Sequence, residues 1–141
     1  MHHAVSRNNF GLVKKLLERE DFHETVDEQG NTALHLAALQ GCNPQLVRIL
    51  TTKIRIPIRN KDLKTPLHIA SATGFLEAVQ VFMEHKDGAS ILEMEDNMKQ
   101  TALLVASSSG NSDVVDYLLK KGANLSKRNT KKESPMHIAA R

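Results

Sequence analysis

Tryptophan is absent from this 141-residue chain, tyrosine occurs once, and aromatics together make up 4% of it. Its core must therefore be filled by Leu, Ile, Val and Ala, in layers thin enough for small side chains to span. The single cysteine, Cys42, excludes an internal disulfide framework and fits a reducing compartment. No apolar run approaches the ~20 residues of a membrane span, and the N-terminus lacks the apolar segment of a secretory leader. There is no glycine-rich phosphate cradle, no Cys pair and no Ser/His/Asp arrangement. These absences argue against an enzyme.

What the chain does contain is repetition. Thr32-Ala33-Leu34-His35-Leu36-Ala37, Thr65-Pro66-Leu67-His68-Ile69-Ala70, Thr101-Ala102-Leu103-Leu104-Val105-Ala106 and Ser134-Pro135-Met136-His137-Ile138-Ala139 are variants of one phrase, starting 33, 36 and 33 residues apart. A degenerate copy opens the chain at His2-His3-Ala4, one period before His35. Self-similarity at this spacing marks a stacked repeat array. Each phrase reads as a helix start. Thr32, Thr65, Thr101 or Ser134 supplies an N-cap oxygen, and Pro66 and Pro135 stand at the first helical position, where a missing N–H costs nothing. Leu, Ile and Ala give a narrow apolar face, and the small Ala residues let a neighbouring helix approach closely.

These helices stop at Gly41, Gly74 and Gly110, which can adopt the left-handed cap. Second apolar runs follow at helical period: Leu46, Val47, Ile49, Leu50; Leu76, Val79, Val81, Phe82; and Val114, Val115, Tyr117, Leu118, Leu119. In the first copy the run is Leu12, Val13, Leu16, Leu17. Before each phrase lies a polar turn, of which Asp27-Glu28-Gln29-Gly30-Asn31 is the clearest.

This helix–helix–turn unit, with its Thr-Pro-Leu-His-x-Ala opening, resembles the ankyrin repeat over nearly the whole chain. The resemblance implies an all-α solenoid of stacked helix–turn–helix units with β-hairpin fingers. Residues 1–141 form one segment, with repeats at about 1–31, 32–64, 65–100 and 101–133 and a partial repeat at 134–141. Both ends fall inside a repeat, whereas natural arrays protect their ends with polar caps, so a segment of a longer array is expected, the alternative being a divergent capped protein. Copy two has one extra residue around Asn43-Pro44, and copy three has three near His85 to Met94. Gly30 stands where such fingers need φ > 0, and Leu63, Lys99 and Lys132 replace it later. An L side chain is strained there, so distorted fingers are predicted in those copies.

Charge is banded. Residues 48–64 hold six basic groups against Asp62, residues 77–96 hold six acids against Lys86, and residues 120–141 hold seven basic groups against Glu133. Solvated outer faces account for such bands, and so does attraction of the basic ones to an acidic peptide or an anionic lipid surface. No aromatic platform accompanies the charge, which argues against nucleic acid.

His35, His68 and His137 share one structural position and have no carboxylate or thiolate at ligand spacing, so no metal is read there. No cofactor or catalytic group is read either. In ankyrin proteins the matching His bonds neighbouring backbone, and this resemblance makes Thr32, His35, Thr65, His68, Thr101, Ser134 and His137 the bracing set. Leu104 lacks the imidazole, so no brace is expected in that copy. Glu93 and Glu95 lie in a loop without a base or nucleophile, and Asp113 and Asp116 read as ordinary helix surface. Cys42 has no evident basic neighbour to lower its pKa and reads as inert.

Partners of ankyrin domains meet the finger tips and the exposed positions of the first helices. By phase these are Glu28, Gln29, Asn31, Leu39 and Gln40 in one finger and the helix after it. In the next they are Lys61, Asp62, Lys64, Ala72 and Thr73, and in the third Asn97, Met98, Gln100, Ser108 and Ser109. Met98 offers adaptable thioether surface, or packs partly against the following finger.

A second resemblance concerns the kind of ankyrin protein. The chain is similar to part of the N-terminal ankyrin array of TRPA-type cation channels in four features that occur in the same order. These are the Pro in Gly41-Cys42-Asn43-Pro44, the Lys/Asp-rich finger before Thr65, the lengthened repeat with Ser90-Ile91-Leu92-Glu93, and the Val114-Val115-Asp116-Tyr117-Leu118-Leu119 helix. That resemblance implies a cytosolic segment of a homotetrameric, calcium-permeable plasma-membrane channel, coupling stimuli to gating and meeting protein partners that include other subunits. The segment itself is not membrane-inserted. Cys42 matches none of the electrophile-sensing cysteines of that family. The alternative is a soluble scaffold or adaptor that holds a protein or peptide partner on its concave face.

Overall fold

In a computed structural model, the described residues are 28–41, 44–53, 58–86 and 88–135. Expectations for residues 1–27, Cys42 and His137 lie outside them. Seven helices and no strand occur among the described residues: α1 (Ala33–Gln40), α2 (Pro44–Lys53), α3 (Pro66–Thr73), α4 (Leu76–Glu84), α5 (Gly88–Leu92), α6 (Ala102–Ser109) and α7 (Ser112–Lys120).

Thr32, Thr65 and Thr101 cap α1, α3 and α6, each accepting at its hydroxyl from the backbone N–H three residues on. Such a cap contributes about 1 kcal/mol. The same helices end at Gly41, Gly74 and Gly110 with φ of 67°, 77° and 73°, the left-handed conformation that glycine adopts without a Cβ clash. Each is eight residues long and apolar almost all round, so it must be covered on several sides.

Two layers do this. α1, α3 and α6 pack in succession as an inner row, α2, α4 and α7 form the outer row, and each inner helix also packs on its own outer partner. Leu34, Leu67 and Leu103 are buried in the inner row, and Val47, Leu50, Val79, Phe82, Val114 and Leu118 in the outer. Phe82 is the bulkiest of the fully buried side chains; burying one of this kind contributes about 1.5–3 kcal/mol. Ala37, Ala70 and Ala106 are fully buried, which lets neighbouring inner helices come close.

The three extra residues of copy three produce α5, whose Ile91 and Leu92 are buried while α5 packs on α4. Gly88 opens α5 against the end of α4, where a Cβ would lie 2.6 Å from the Met83 carbonyl oxygen. The loop after α5 is strapped to the next repeat. Glu93 Oε1 accepts from the Asn124 N–H at 2.8 Å, and Glu95 meets Lys127 at 4.0 Å.

The expectation of distorted fingers is overturned. Leu63, Lys99 and Lys132 do take positive φ (62°, 59° and 61°), but all three fingers are regular and alike. Asn60, Asp96 and Asn129 each donate their backbone N–H to the carbonyl four residues later and accept at their own carbonyl from the N–H three residues later. Their side chains hold the turn. Asn60 Oδ1 accepts from the N–H groups of Asp62 and Lys64, Asp96 Oδ1 from Met98 and Gln100, and Asn129 Oδ1 from Lys131 and Glu133, all within 2.8–3.0 Å. Two such bonds offset the cost of one left-handed L residue, about 1–2 kcal/mol.

Candidate functional site

The face expected to meet partners is built from the inner helices and the fingers at their starts. Its helices owe their alignment to a relay of buried side chains. The Thr65 N–H donates to His68 Nδ1 at 3.1 Å, so the neutral ring carries its proton on Nε2, which donates to the Gln100 carbonyl at 2.8 Å. His35 repeats the arrangement, with the Thr32 N–H on Nδ1 and Nε2 donating to the Lys64 carbonyl at 2.9 Å. Each imidazole thus closes its own capping box and ties its repeat to the base of the next finger. Leu104 is buried at the same position in α6, where Thr101 caps the helix without a reciprocal side chain.

Burial holds the His68 pKa below the ordinary 6.5; the bond to Gln100 and the charge of Asp96 pull it back up more weakly, and Lys64 pushes it down. Asp96 is itself buried, with Oδ1 spent on the turn and Oδ2 unpartnered.

Fingers are linked in a row by one backbone bond per joint: the Lys61 N–H to the Gln29 carbonyl, Asn97 to Asp62, and Thr130 to Met98, at 2.9–3.0 Å. The exposed tips of this row are Glu28, Gln29, Lys61, Asp62, Asn97 and Met98, the last 43% exposed. Asn31 is half-buried and accepts from Asn60 Nδ2 at 2.9 Å, while Gln100 is tied through its backbone to Asp96 and His68. These two serve the scaffold as well as the surface.

Four of the residues selected as partner contacts meet in one groove. Leu39 of α1, Ala72 and Thr73 of α3 and Lys64 of the finger line it, together with His68, Ile69 and Val105, around about 150 Å³. That is below the roughly 300–1,000 Å³ of a drug-sized pocket, and fits a single side chain. Thr73 also anchors the wall, donating from its hydroxyl to the Ala38 carbonyl at 3.2 Å. Ser108 and Ser109 are exposed on α6 but do not line the groove, and of Gln40 only the helical backbone is described. Ile69 and Val105 were missed because their phrase position reads as core, yet both are half-exposed. Asn111 was missed too. Its Nδ2 donates to the Ser71 and Ala72 carbonyls at 2.7 and 3.1 Å, capping α3 from the following repeat.

On the outer face, Leu76, Gln80, Asp113, Asp116, Tyr117 and Lys120 line a wider depression between α4 and α7. Among the described residues no group of three His, Cys, Asp or Glu side chains could hold a metal ion, and no helix is long and apolar enough to cross a membrane.

Comparison with known proteins agrees with this architecture. The family model described as ankyrin repeats (3 copies) matches residues 1–95 and 90–141. The chain is 32% identical to human transient receptor potential cation channel subfamily A member 1 over 143 aligned positions, covering 99% of this chain and 12% of the relative. It is 31% identical to the Drosophila melanogaster protein of the same name, over 86% of this chain and 10% of that one. The Caenorhabditis elegans homolog is 28% identical over 96% of this chain and 11% of its own length. The chain thus spans about a tenth of the length of these curated relatives.

Proposed function

The chain belongs to the ankyrin-repeat family, a non-catalytic fold whose members generally bind proteins, and we propose that it is a protein-interaction segment of the cytosolic ankyrin array of a TRPA-type calcium-permeable cation channel. In this reading its repeat units are about 1–31, 32–64, 65–100 and 101–133, with a partial unit at 134–141. The observation that carries the reading is the similarity to the human channel subunit, which runs over 99% of this chain instead of over one well-matched repeat. The physics suits the role. In a stacked array stability is a sum of repeat and neighbour terms, so a change at one joint alters the curvature of the whole. Here a joint consists of a finger-to-finger backbone bond and inner-helix packing, and a His brace, where present, fixes the finger to its own helix.

Tagging the chain in its native gene tests this. The tagged product is expected in the membrane fraction, in a protein whose transcript also encodes several apolar runs of about 20 residues. A product that stays in the soluble fraction and lacks such runs would replace the channel reading with that of a soluble scaffold.

A further inference from the structure

The three described inner helices, Ala33–Gln40, Pro66–Thr73 and Ala102–Ser109, contain no Asp, Glu, Lys or Arg. The floor of the face they form is therefore uncharged, and all the charge that borders it comes from the fingers. On the second and third fingers the exposed or half-exposed charges are Lys61, Lys64 and Lys99 against Asp62, since Asp96 is buried beneath the turn. Neither Lys61 nor Lys64 is in an ion pair with a described residue, whereas Arg48, Glu84, Lys127 and Glu95 on other faces are paired. An apolar groove of about 150 Å³ thus has an unpaired lysine in its wall and a second on the same finger.

Leu39, 51% exposed, leaves one wall of the groove in water. Covering it would recover roughly 25 cal/mol per Å² of apolar area. A cationic or strongly polar occupant would gain nothing from that floor and would be repelled by the rim. An aliphatic side chain would fill it, and carboxylates beside it would meet Lys64 and Lys61.

We propose that this groove recognises an acidic peptide segment that seats one aliphatic side chain between Leu39, Ile69, Ala72 and Val105 and places carboxylates at Lys64 and Lys61. The inference rests on reading the chain as a protein-interaction segment and adds the chemistry of its partner.

Selection of a displayed random-peptide library on the whole 141-residue chain tests it without presupposing a sequence. Enriched peptides are expected to share one Leu, Ile, Val or Met flanked by Asp or Glu. A synthetic peptide of the consensus should bind at least tenfold more weakly to Ala72→Trp, which fills the groove from its exposed side. The paired change Lys61→Glu and Lys64→Gln should weaken it similarly and flatten its salt dependence. Circular dichroism of both variants guards against misfolding, and replacing the aliphatic residue of the peptide by Ser should abolish binding to the unaltered chain. Enrichment of neutral or basic peptides, or affinity unmoved by both variants, overturns the groove proposal but leaves the interaction reading standing. No enrichment above background would remove both.

Discussion

The Nε2 of His68 donates to the carbonyl oxygen of Gln100, 32 residues further along the chain and 2.8 Å away. The same ring accepts the Thr65 N–H at Nδ1, so one buried side chain closes a helix cap and ties that helix start to the finger that ends its repeat. Replacing it with the residue that the following copy uses, His68→Leu, leaves both backbone groups without that partner. A loss of about 1–3 kcal/mol is expected in urea unfolding. An unchanged midpoint would show that the contact is neutral.

His68 also sets an acid limit. With its folded pKa below 6.5, the unfolded chain binds the extra proton more readily, so this contribution is intact above pH 6.5 and is lost as pH falls from there through the folded value. Stability should therefore drop over that window, and His68→Leu should remove part of the slope. Asp96→Asn takes away a charge that raises the His68 pKa, and imidazole titration by NMR should then move lower still. Movement upward would contradict the assigned electrostatics.

Thr65→Ala and Thr101→Ala separate cap from brace. Both lose a cap worth about 1 kcal/mol, but only Thr65 also has a His side chain against it. The first substitution should lower the melting temperature more than the second. Equal shifts would mean that the imidazole holds its place without the hydroxyl.

Much of this framework was legible in the sequence. The period located the repeats, Thr and Gly bounded the inner helices, and His35 and His68 shared a phase that only a repeating structural contact explains. The regularity of the fingers is not visible at the residue that changes, Gly30 to Leu63, Lys99 and Lys132. It lies in the residue that stays, an Asx at 27, 60, 96 and 129. Cross-repeat contacts such as Asn111 to Ser71 and Thr73 to Ala38 have no local pattern, because partners about 40 and 35 residues apart meet only once the stack exists. The groove was half legible for the same reason: its finger and helix-end positions followed from phase, but Ile69 and Val105 look like core in the sequence and are half-exposed beside the groove.

Lys99→Gly removes an L side chain from φ 59° while keeping both bonds of the Asp96 turn. A gain of about 0.5–1 kcal/mol is expected, the relief of left-handed strain less the entropy of glycine. The opposite change, Gly30→Ala, would put a methyl group 3.0 Å from the Lys61 nitrogen at φ 79° and should destabilise. A destabilised Lys99→Gly would show that the turn depends on the lysine itself.

Ser71→Ala deletes a buried hydroxyl that has no partner, at the position where Ala38 stands in α1. Stability should hold or rise by up to about 1 kcal/mol, as read by thermal melting. A clear loss would reveal a partner for that oxygen.

Because the side chains of Asn60, Asp96 and Asn129 clasp their fingers from within, the fourth residue of those turns no longer has to be the one amino acid without a side chain. A rigid requirement has become a free address. Leucine occupies it at 63 and lysine at 99 and 132, all exposed to solvent. A fixed backbone geometry, tolerated at modest strain, gives successive fingers different words to present to whatever passes along the row.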